Sequence, residues 1–174
     1  MKIPISDFVL TQLTESSLNE ILDIQEEAFS VLSNSDLLRR NDTEMLRSCL
    51  NQPHYSIGAY HGGILAGFAI LFFPGQSEEN LAVKLKCINT STMKSANYKL
   101  CIVRPQYRGN HLQVYLGELL EKYALKQNVD IVCATVSPEN CYSMYNILKL
   151  GYTYDHTLVK YGLIRNLYYK LLKA

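Results

Sequence analysis

The chain of 174 residues has few of the features that mark membrane, secreted or metal-binding proteins. It contains no tryptophan, and its longest apolar run, 64–73, is too short to cross a bilayer. The N-terminus lacks the apolar stretch of a signal peptide. The five cysteines are odd in number and show no CxxC spacing, which argues against a zinc site and against a disulfide framework. We therefore expect a cytoplasmic protein with no membrane contact and no metal.

No repeat, low-complexity tract or linker divides the sequence, so residues 1–174 are expected to form a single domain. Hydrophobic residues make up 48% and charged residues 19%, which fits a folded domain rather than a disordered chain. The net charge of +1 hides an asymmetry, because acids outnumber bases in 1–70 and bases outnumber acids in 71–174. The basic part suits an anionic ligand and the acidic part could attract a cationic one, although both could equally be solvated surfaces. The basic residues are not clustered and form no nucleic-acid-binding motif, so no nucleic-acid partner is expected.

Hydrophobic periodicity and turn signals predict seven strands and four helices. Ser17-Leu18-Asn19-Glu20 is a capping-box pattern, His61-Gly62-Gly63 is a hairpin turn signal, and Leu112, Leu116, Leu119, Leu120 and Tyr123 recur at helical spacing. The near-continuous apolar run 129–136 predicts a central strand buried on both faces. Strands are expected at 8–13, 55–60, 64–73, 98–103, 129–136, 152–160 and 164–172, and helices from residue 17, over 44–50 and 112–127, and from 137–140 to 150. A further short strand is expected near 83–88. The order β-α-α-β-β-β-α-β-α-β-β predicts an α/β (α+β) fold with a central mixed sheet flanked by helices.

The segment 98–113 is the most informative part of the chain. A strand ends at Cys101, Ile102 and Val103, and a loop containing Arg108 and Gly109 then leads into a helix. Main-chain N–H groups of such a loop, together with the partial positive charge of the helix N-terminus, can bind a pyrophosphate. An ordinary strand-to-helix turn with a surface arginine is the alternative.

Two motifs in the second half resemble those of the GNAT N-acetyltransferase superfamily. The first is Gln106-x-x-Gly109-x-His111, which overlaps the pattern Val103-x-Pro105-x-Tyr107-Arg108-Gly109. The family has Gly or Ala at the position of His111. The second runs from Asn140 and Ser143 to Lys149-Leu150-Gly151-Tyr152. The resemblance covers roughly 98–172 by motif, and the first half agrees only in element order.

The resemblance implies acetyl-CoA as co-substrate, with its pantetheine arm between two diverging strands. It implies that the cofactor-binding residues are Cys101, Ile102, Val103, Arg108, Gly109, Asn110, His111, Leu112, Gln113, Asn140 and Ser143. Asn140 could also be a helix cap. Cys101 is expected to be a wall residue, because nothing near it in sequence lowers a thiol pKa. Homodimers are common in the superfamily, so a homodimer is compatible with the resemblance.

The catalytic groups of the family are only partly present. The usual tyrosine acid lies seven residues after the motif asparagine, where this chain has Ile147. Tyr145 is the candidate acid, with Tyr142 as a neighbour, although aromatic packing is the alternative for both. No acid occurs between Glu79 and Glu118, so Glu26, Glu27, the His111 side chain or ordered water are the candidate bases.

These observations predict direct acetyl transfer from acetyl-CoA to the amine of a small molecule or peptide. Positioning of the reactants and polarisation of the thioester by a strand N–H are expected to supply most of the catalysis. The missing acid and base support a second hypothesis, a catalytically weak acyl-CoA-binding or sensing module.

Overall fold

Seven strands and four helices are found in the computed structural model, which describes residues 2–173. The strands are β1 (Val9–Gln12), β2 (Tyr55–His61), β3 (Ile64–Phe72), β4 (Ser95–Val103), β5 (Ile131–Val136), β6 (Thr153–Lys160) and β7 (Leu163–Leu171). The helices are α1 (Leu18–Ser30), α2 (Thr43–Cys49), α3 (Leu112–Lys126) and α4 (Cys141–Lys149). Apart from short 3-10 turns, these elements follow one another in the order expected from the sequence.

All seven strands belong to one sheet, in the order β1-β2-β3-β4-β5-β7-β6. Within it β4 and β5 are parallel, and the other neighbouring strands are antiparallel. The predicted mixed sheet is therefore confirmed. Strand β7 lies between β5 and β6, so the crossover through α4 joins strands that run in the same direction without pairing.

Helices cover both faces of the sheet. On one face, α3 places Leu112, Leu116 and Leu120 in a core that also includes side chains of β5 and the buried Ile147 of α4. On the other face, α1 and α2 pack against β3 and β4 around a second core. The alternating residues of β5 reach both faces, which confirms the predicted buried central strand.

Two local predictions were wrong. The segment near 83–88 forms a 3-10 turn (Ala82–Lys84) instead of a strand, and the N–H groups of Lys86 and Cys87 donate to the Asp155 carboxylate at 3.0 and 2.9 Å. The Asp155 side chain thus accepts the main-chain hydrogen bonds that a neighbouring strand would have accepted. Ser17 precedes α1 without capping it, because a 3-10 turn gives it a helical backbone conformation.

Within residues 2–173, the structure has no helix that is both long enough and apolar enough to span a membrane.

Candidate functional site

The neighbouring strands β4 and β5 separate partway along their length. They pair only where Ser95, Ala96 and Asn97 face residues 131–133. The register between β3 and β4 shifts next, leaving Lys99 as an extra residue in β4. Such a bulge bends a strand and increases its twist. Because β5 stays paired with β7 up to Val136, the bend opens a V-shaped gap between β4 and β5.

Main-chain groups of β4 face this gap. The N–H of Arg104 donates to the carbonyl of Ala66 on the β3 side at 2.8 Å. Successive residues of a strand turn their N–H and C=O groups to opposite sides, so Ile102 also faces β3, whereas Cys101 and Val103 face the gap. Of the three predicted main-chain partners for pantetheine, the structure therefore leaves Cys101 and Val103 with groups free for a ligand. The main chain of Ile102 is used within the sheet.

The gap is part of a cavity of about 890 Å³, a volume in the usual range for small-molecule sites. Its lining includes nearly all of the predicted cofactor-binding residues: Cys101, Ile102, Val103, Arg108, Gly109, His111, Leu112, Gln113, Asn140 and Ser143. Tyr142, Tyr145 and Ile147 also line it. Residues predicted from two separate motifs thus meet at one site.

Asn110 is the predicted residue that does not line the cavity. Its side chain is buried, accepts a hydrogen bond from the Ile3 N–H at 2.8 Å and donates to the Tyr107 carbonyl at 2.9 Å. The side chain of Asn110 therefore attaches the N-terminal segment to the loop before α3 and is not available to a cofactor.

One end of the cavity is suited to an anion. The first hydrogen bond of α3 runs from the Tyr115 N–H to the His111 carbonyl at 3.1 Å, so the N–H groups of 112–114 precede the helical pattern. No side chain caps this end of the helix. Gly109 has a φ of +84°, and Arg108 forms no ion pair with any residue in 2–173. Free donors and an unpaired cation are therefore close together here.

His111 has the left-handed backbone conformation that glycine adopts most easily. Its φ is +60°, and its side chain is exposed at the cavity wall. A side chain at such a φ costs about 1–2 kcal/mol, although histidine is found there more often than most residues. This backbone conformation suits glycine, one of the two residues that the resembling motif has at the position.

Helices α3 and α4 are connected by side-chain amides at the cavity. Asn140 accepts from the Ser143 N–H at 3.0 Å and donates to the Leu37 carbonyl at 3.3 Å, so it is a helix cap. Gln113 donates to the Ser143 hydroxyl at 3.2 Å and accepts from Asn146 at 2.9 Å. These bonds fix the distance between the two helices that border the cavity.

The two tyrosines of α4 point away from the core. Tyr145 is 64% exposed and Tyr142 is more exposed still, so the aromatic-packing alternative is wrong for both. Ile147, at the usual position of the acid, is only 3% exposed and belongs to the core. Tyr145 is thus placed in the cavity lining with its side chain accessible.

The predicted bases in α1 do not reach the cavity. Glu26 pairs with Arg40 and Glu27 with Arg104, and neither carboxylate lines the cavity wall. Glu79, in the loop between β3 and β4, does line it, and it was missed as a candidate. The sequence offered one signal that could have identified Glu79: it is the last acidic residue before the acid-free stretch that ends at Glu118.

Glu79 is surrounded by donors and cations. It accepts a hydrogen bond from the Tyr161 hydroxyl, and the ammonium groups of Lys99 and Lys160 lie 3.6 and 3.7 Å from its carboxylate. Arg39 stacks over the Tyr161 ring at 3.1 Å. Burial raises the pKa of Glu79, but the hydrogen bond and the nearby positive charges outweigh it and hold the pKa below its usual value. Glu79 is therefore ionised and a poor proton acceptor.

Two other titratable groups are unsuited to acid–base or nucleophilic chemistry. Burial raises the pKa of the Cys101 thiol to about 12, so it is not a thiolate at neutral pH. Burial, followed by the hydrogen bond to Glu79, raises the pKa of the Tyr161 hydroxyl well above its ordinary value. Cys101 is thus a wall residue.

Solved structures of N-acetyltransferases share this architecture. The ribosomal-protein-S18-alanine N-acetyltransferase of Escherichia coli superposes with a TM-score of 0.71 at 15% identity, covering 96% of this chain and 95% of its own. Arabidopsis thaliana NAA60 in complex with acetyl-CoA gives 0.71 at 16% identity, over 94% and 98%. A GNAT-family acetyltransferase of Listeria monocytogenes 4b F2365 gives 0.70 at 16% identity, over 94% of both chains.

The sequence itself matches neither a known protein family nor a curated protein. At the identities given above, structural similarity establishes the fold, and the chain has the GNAT fold. The mixed α/β fold expected from the order of elements is confirmed, as is the GNAT-like fold that the resemblance implies.

Proposed function

We propose that this protein is an acetyl-CoA-dependent N-acetyltransferase that transfers the acetyl group directly to the amine of a small molecule or peptide. The observation that carries the proposal is the gap between β4 and β5, which exposes main-chain groups of Cys101 and Val103 and leads to the uncapped start of α3. The fold, shared with N-acetyltransferases, supports the same conclusion.

Coenzyme A has a diphosphate and a pantetheine arm with two amides, and the cavity offers partners for both. The N–H groups of 109–113 and the Arg108 guanidinium are the proposed diphosphate site. The amides of the arm pair with the main chain of Cys101 and Val103, as an added strand pairs with a sheet edge. The Gln113 and Ser143 side chains, which bond to each other, keep the two walls at a fixed separation.

In the reaction, the lone pair of a neutral amine attacks the thioester carbonyl. The carbon–sulfur bond breaks, the amine loses a proton, and the thiolate of coenzyme A gains one. The Val103 N–H is the proposed donor to the carbonyl oxygen, on which negative charge develops. A preorganised donor of this kind, with correct positioning of the amine, lowers the barrier without a covalent enzyme intermediate.

Tyr145 is the proposed proton donor to the thiolate, because it is accessible in the cavity lining. Tyr161 is excluded as the proton donor, because its hydroxyl group already donates its hydrogen bond to the Glu79 carboxylate. Glu79 is ionised but a poor proton acceptor, so we propose that the amine proton leaves through water. The rate should then rise with pH until the amine itself is deprotonated.

The test is release of free thiol from acetyl-CoA in the presence of a panel of amines. The E. coli neighbour is a ribosomal-protein-alanine N-acetyltransferase, so the panel should include peptides with an N-terminal alanine besides small amines. Amine-dependent thiol release, with the acetylated amine identified by mass spectrometry, supports the proposal.

The buried Ile147 in place of an acid, and the poor base Glu79, favour a second candidate, an acyl-CoA-binding module without turnover. Tight binding of acetyl-CoA without thiol release for any amine would support this alternative. Absence of acetyl-CoA binding would contradict both.

A further inference from the structure

Arg165 is a buried cation with an incomplete set of hydrogen-bond partners. It lies on β7, is 6% exposed, and lines the same cavity as the proposed coenzyme A site. Its Nη1 donates to the Ile164 carbonyl at 2.9 Å. Its Nη2 is enclosed and has no acceptor within residues 2–173. A buried cation with an incomplete set of partners destabilises the folded protein, so its position at the cavity wall indicates a ligand that compensates its charge.

No carboxylate of residues 2–173 forms an ion pair with Arg165. Asp36 is the acid whose charge acts on it most, but Asp36 is exposed on the 3-10 turn Ser35–Leu37. Burial lowers the pKa of Arg165, and the charge of Asp36 only partly opposes this effect. The chain thus leaves the charge of Arg165 largely uncompensated.

The lining of the cavity carries further positive charges. Arg39, Lys99 and Lys160 line it together with Arg165, and the acid among them, Glu79, is shared by both lysines. The acidic N-terminal part of the sequence, 1–70, could attract a cationic ligand or form a solvated surface. Here, however, its Arg39 contributes a cation to the cavity and its acids Glu26 and Glu27 pair elsewhere. Electrostatic complementarity therefore favours a ligand with a negative group.

We propose that the acceptor amine carries a carboxylate and that the guanidinium group of Arg165, at the cavity wall, binds this carboxylate. The inference rests on the proposed acetyl transfer and specifies its substrate class. Lys99 and Lys160 are already paired with Glu79, so the uncompensated charge of Arg165 suits a singly charged carboxylate better than a doubly charged phosphate. Binding of the carboxylate fixes the orientation of the amine relative to the thioester.

The experiment compares kcat/KM for three matched acceptors: an amino acid, its carboxamide, and the corresponding aminophosphonate. The wild type should prefer the amino acid. Arg165→Met should lower kcat/KM for the amino acid about 10- to 100-fold, the contribution of a charged hydrogen bond, and change the carboxamide value by less than about threefold. Arg165→Lys should recover part of the preference. The KM for acetyl-CoA should stay the same in both variants.

Asp36→Asn is the control for a purely structural role. If Arg165 served only to hold the turn that contains Asp36, this variant would have the same effect as Arg165→Met, and the proposal would be wrong. Equal acetylation of amino acid and carboxamide by the wild type would also overturn it. So would a preference for the aminophosphonate, which would indicate an acceptor with a phosphonate- or phosphate-like group. Failure to bind acetyl-CoA would instead refute the proposed function, so the two failures are distinguishable.

Discussion

Replacement of Gly109 by alanine tests the proposed diphosphate site. Gly109 has a φ of +84°, and an added Cβ would meet no atom within 4 Å. The loss of stability should therefore come from the backbone alone, about 1–2 kcal/mol for a side chain in the left-handed region. The Cβ points into open space, where the phosphate is proposed to approach the main chain.

Gly63 is the matched control. It has a φ of +79°, an added Cβ would also meet nothing within 4 Å, and it lies in the turn between β2 and β3, outside the cavity lining. Gly63→Ala and Gly109→Ala should thus lose similar free energies of unfolding, measured by urea denaturation. Only Gly109→Ala should weaken coenzyme A binding.

The expected loss of affinity follows from the hydrogen bonds that the Cβ displaces. A hydrogen bond to a charged group contributes about 1.5–3 kcal/mol, so the loss of two raises the Kd at least about 100-fold. Isothermal titration with coenzyme A measures this change. Pantetheine, which lacks the diphosphate, should compete equally well for both proteins. Unchanged coenzyme A affinity in Gly109→Ala, at a stability equal to that of Gly63→Ala, would refute the placement of the diphosphate.

Three other substitutions test separate parts of the account. His111→Gly should relieve the backbone strain at φ +60° and raise the free energy of unfolding by about 0.5–1 kcal/mol. The Kd for coenzyme A should stay within about threefold of wild type, because the proposed phosphate contacts are main-chain N–H groups. Asn128→Gly, at φ +58°, is the control outside the cavity, and a large loss of affinity in His111→Gly would mean that the imidazole binds the ligand. Tyr145→Phe should lower kcat about 100-fold without changing the KM for acetyl-CoA, whereas equal rates for Tyr145→Phe and wild type would remove Tyr145 as the acid. Burial raises the pKa of the Asp155 carboxyl group, but the hydrogen bonds from His156, Lys86 and Cys87 outweigh this effect and lower the pKa to about 2. Asp155→Ala should therefore lower the free energy of unfolding at pH 7 by about 1–2 kcal/mol. The pKa of Asp155 in the folded state lies below its unfolded value, so the stability that Asp155 contributes is present above about pH 4 and is lost as the pH falls toward 2. Urea denaturation of wild type and Asp155→Ala should show their difference in free energy of unfolding decrease over that range.

The sequence predicted the fold well where its signals were local. The turn Gly62–Gly63 between two apolar runs predicted the β2–β3 hairpin, because two residues with positive φ suit such a turn. The spacing of Leu112, Leu116 and Leu120 predicted the buried face of α3. The segment 83–88 failed because its hydrogen bonds go to Asp155, far away in sequence, and no local pattern reveals such a partner.

The candidate site could be predicted only in part, for the same reason. The loop with Arg108 and Gly109 has a local motif, and the structure brings it to the cavity. Glu79 and Arg165 belong to no local sequence motif. Their place at the cavity depends on the bulge at Lys99 and on the insertion of β7 between β5 and β6, which are features of the tertiary structure. Asn110 lies within the motif, but the N-terminal segment that occupies its side chain is more than 100 residues away in sequence.

A crystal structure with acetyl-CoA tests the central claim most directly. The diphosphate should lie on the N–H groups of 109–113 next to Arg108, and the amides of the pantetheine arm should pair with the main chain of Cys101 and Val103. An empty gap between β4 and β5 at saturating acetyl-CoA, or a ligand bound elsewhere on the protein, would contradict it.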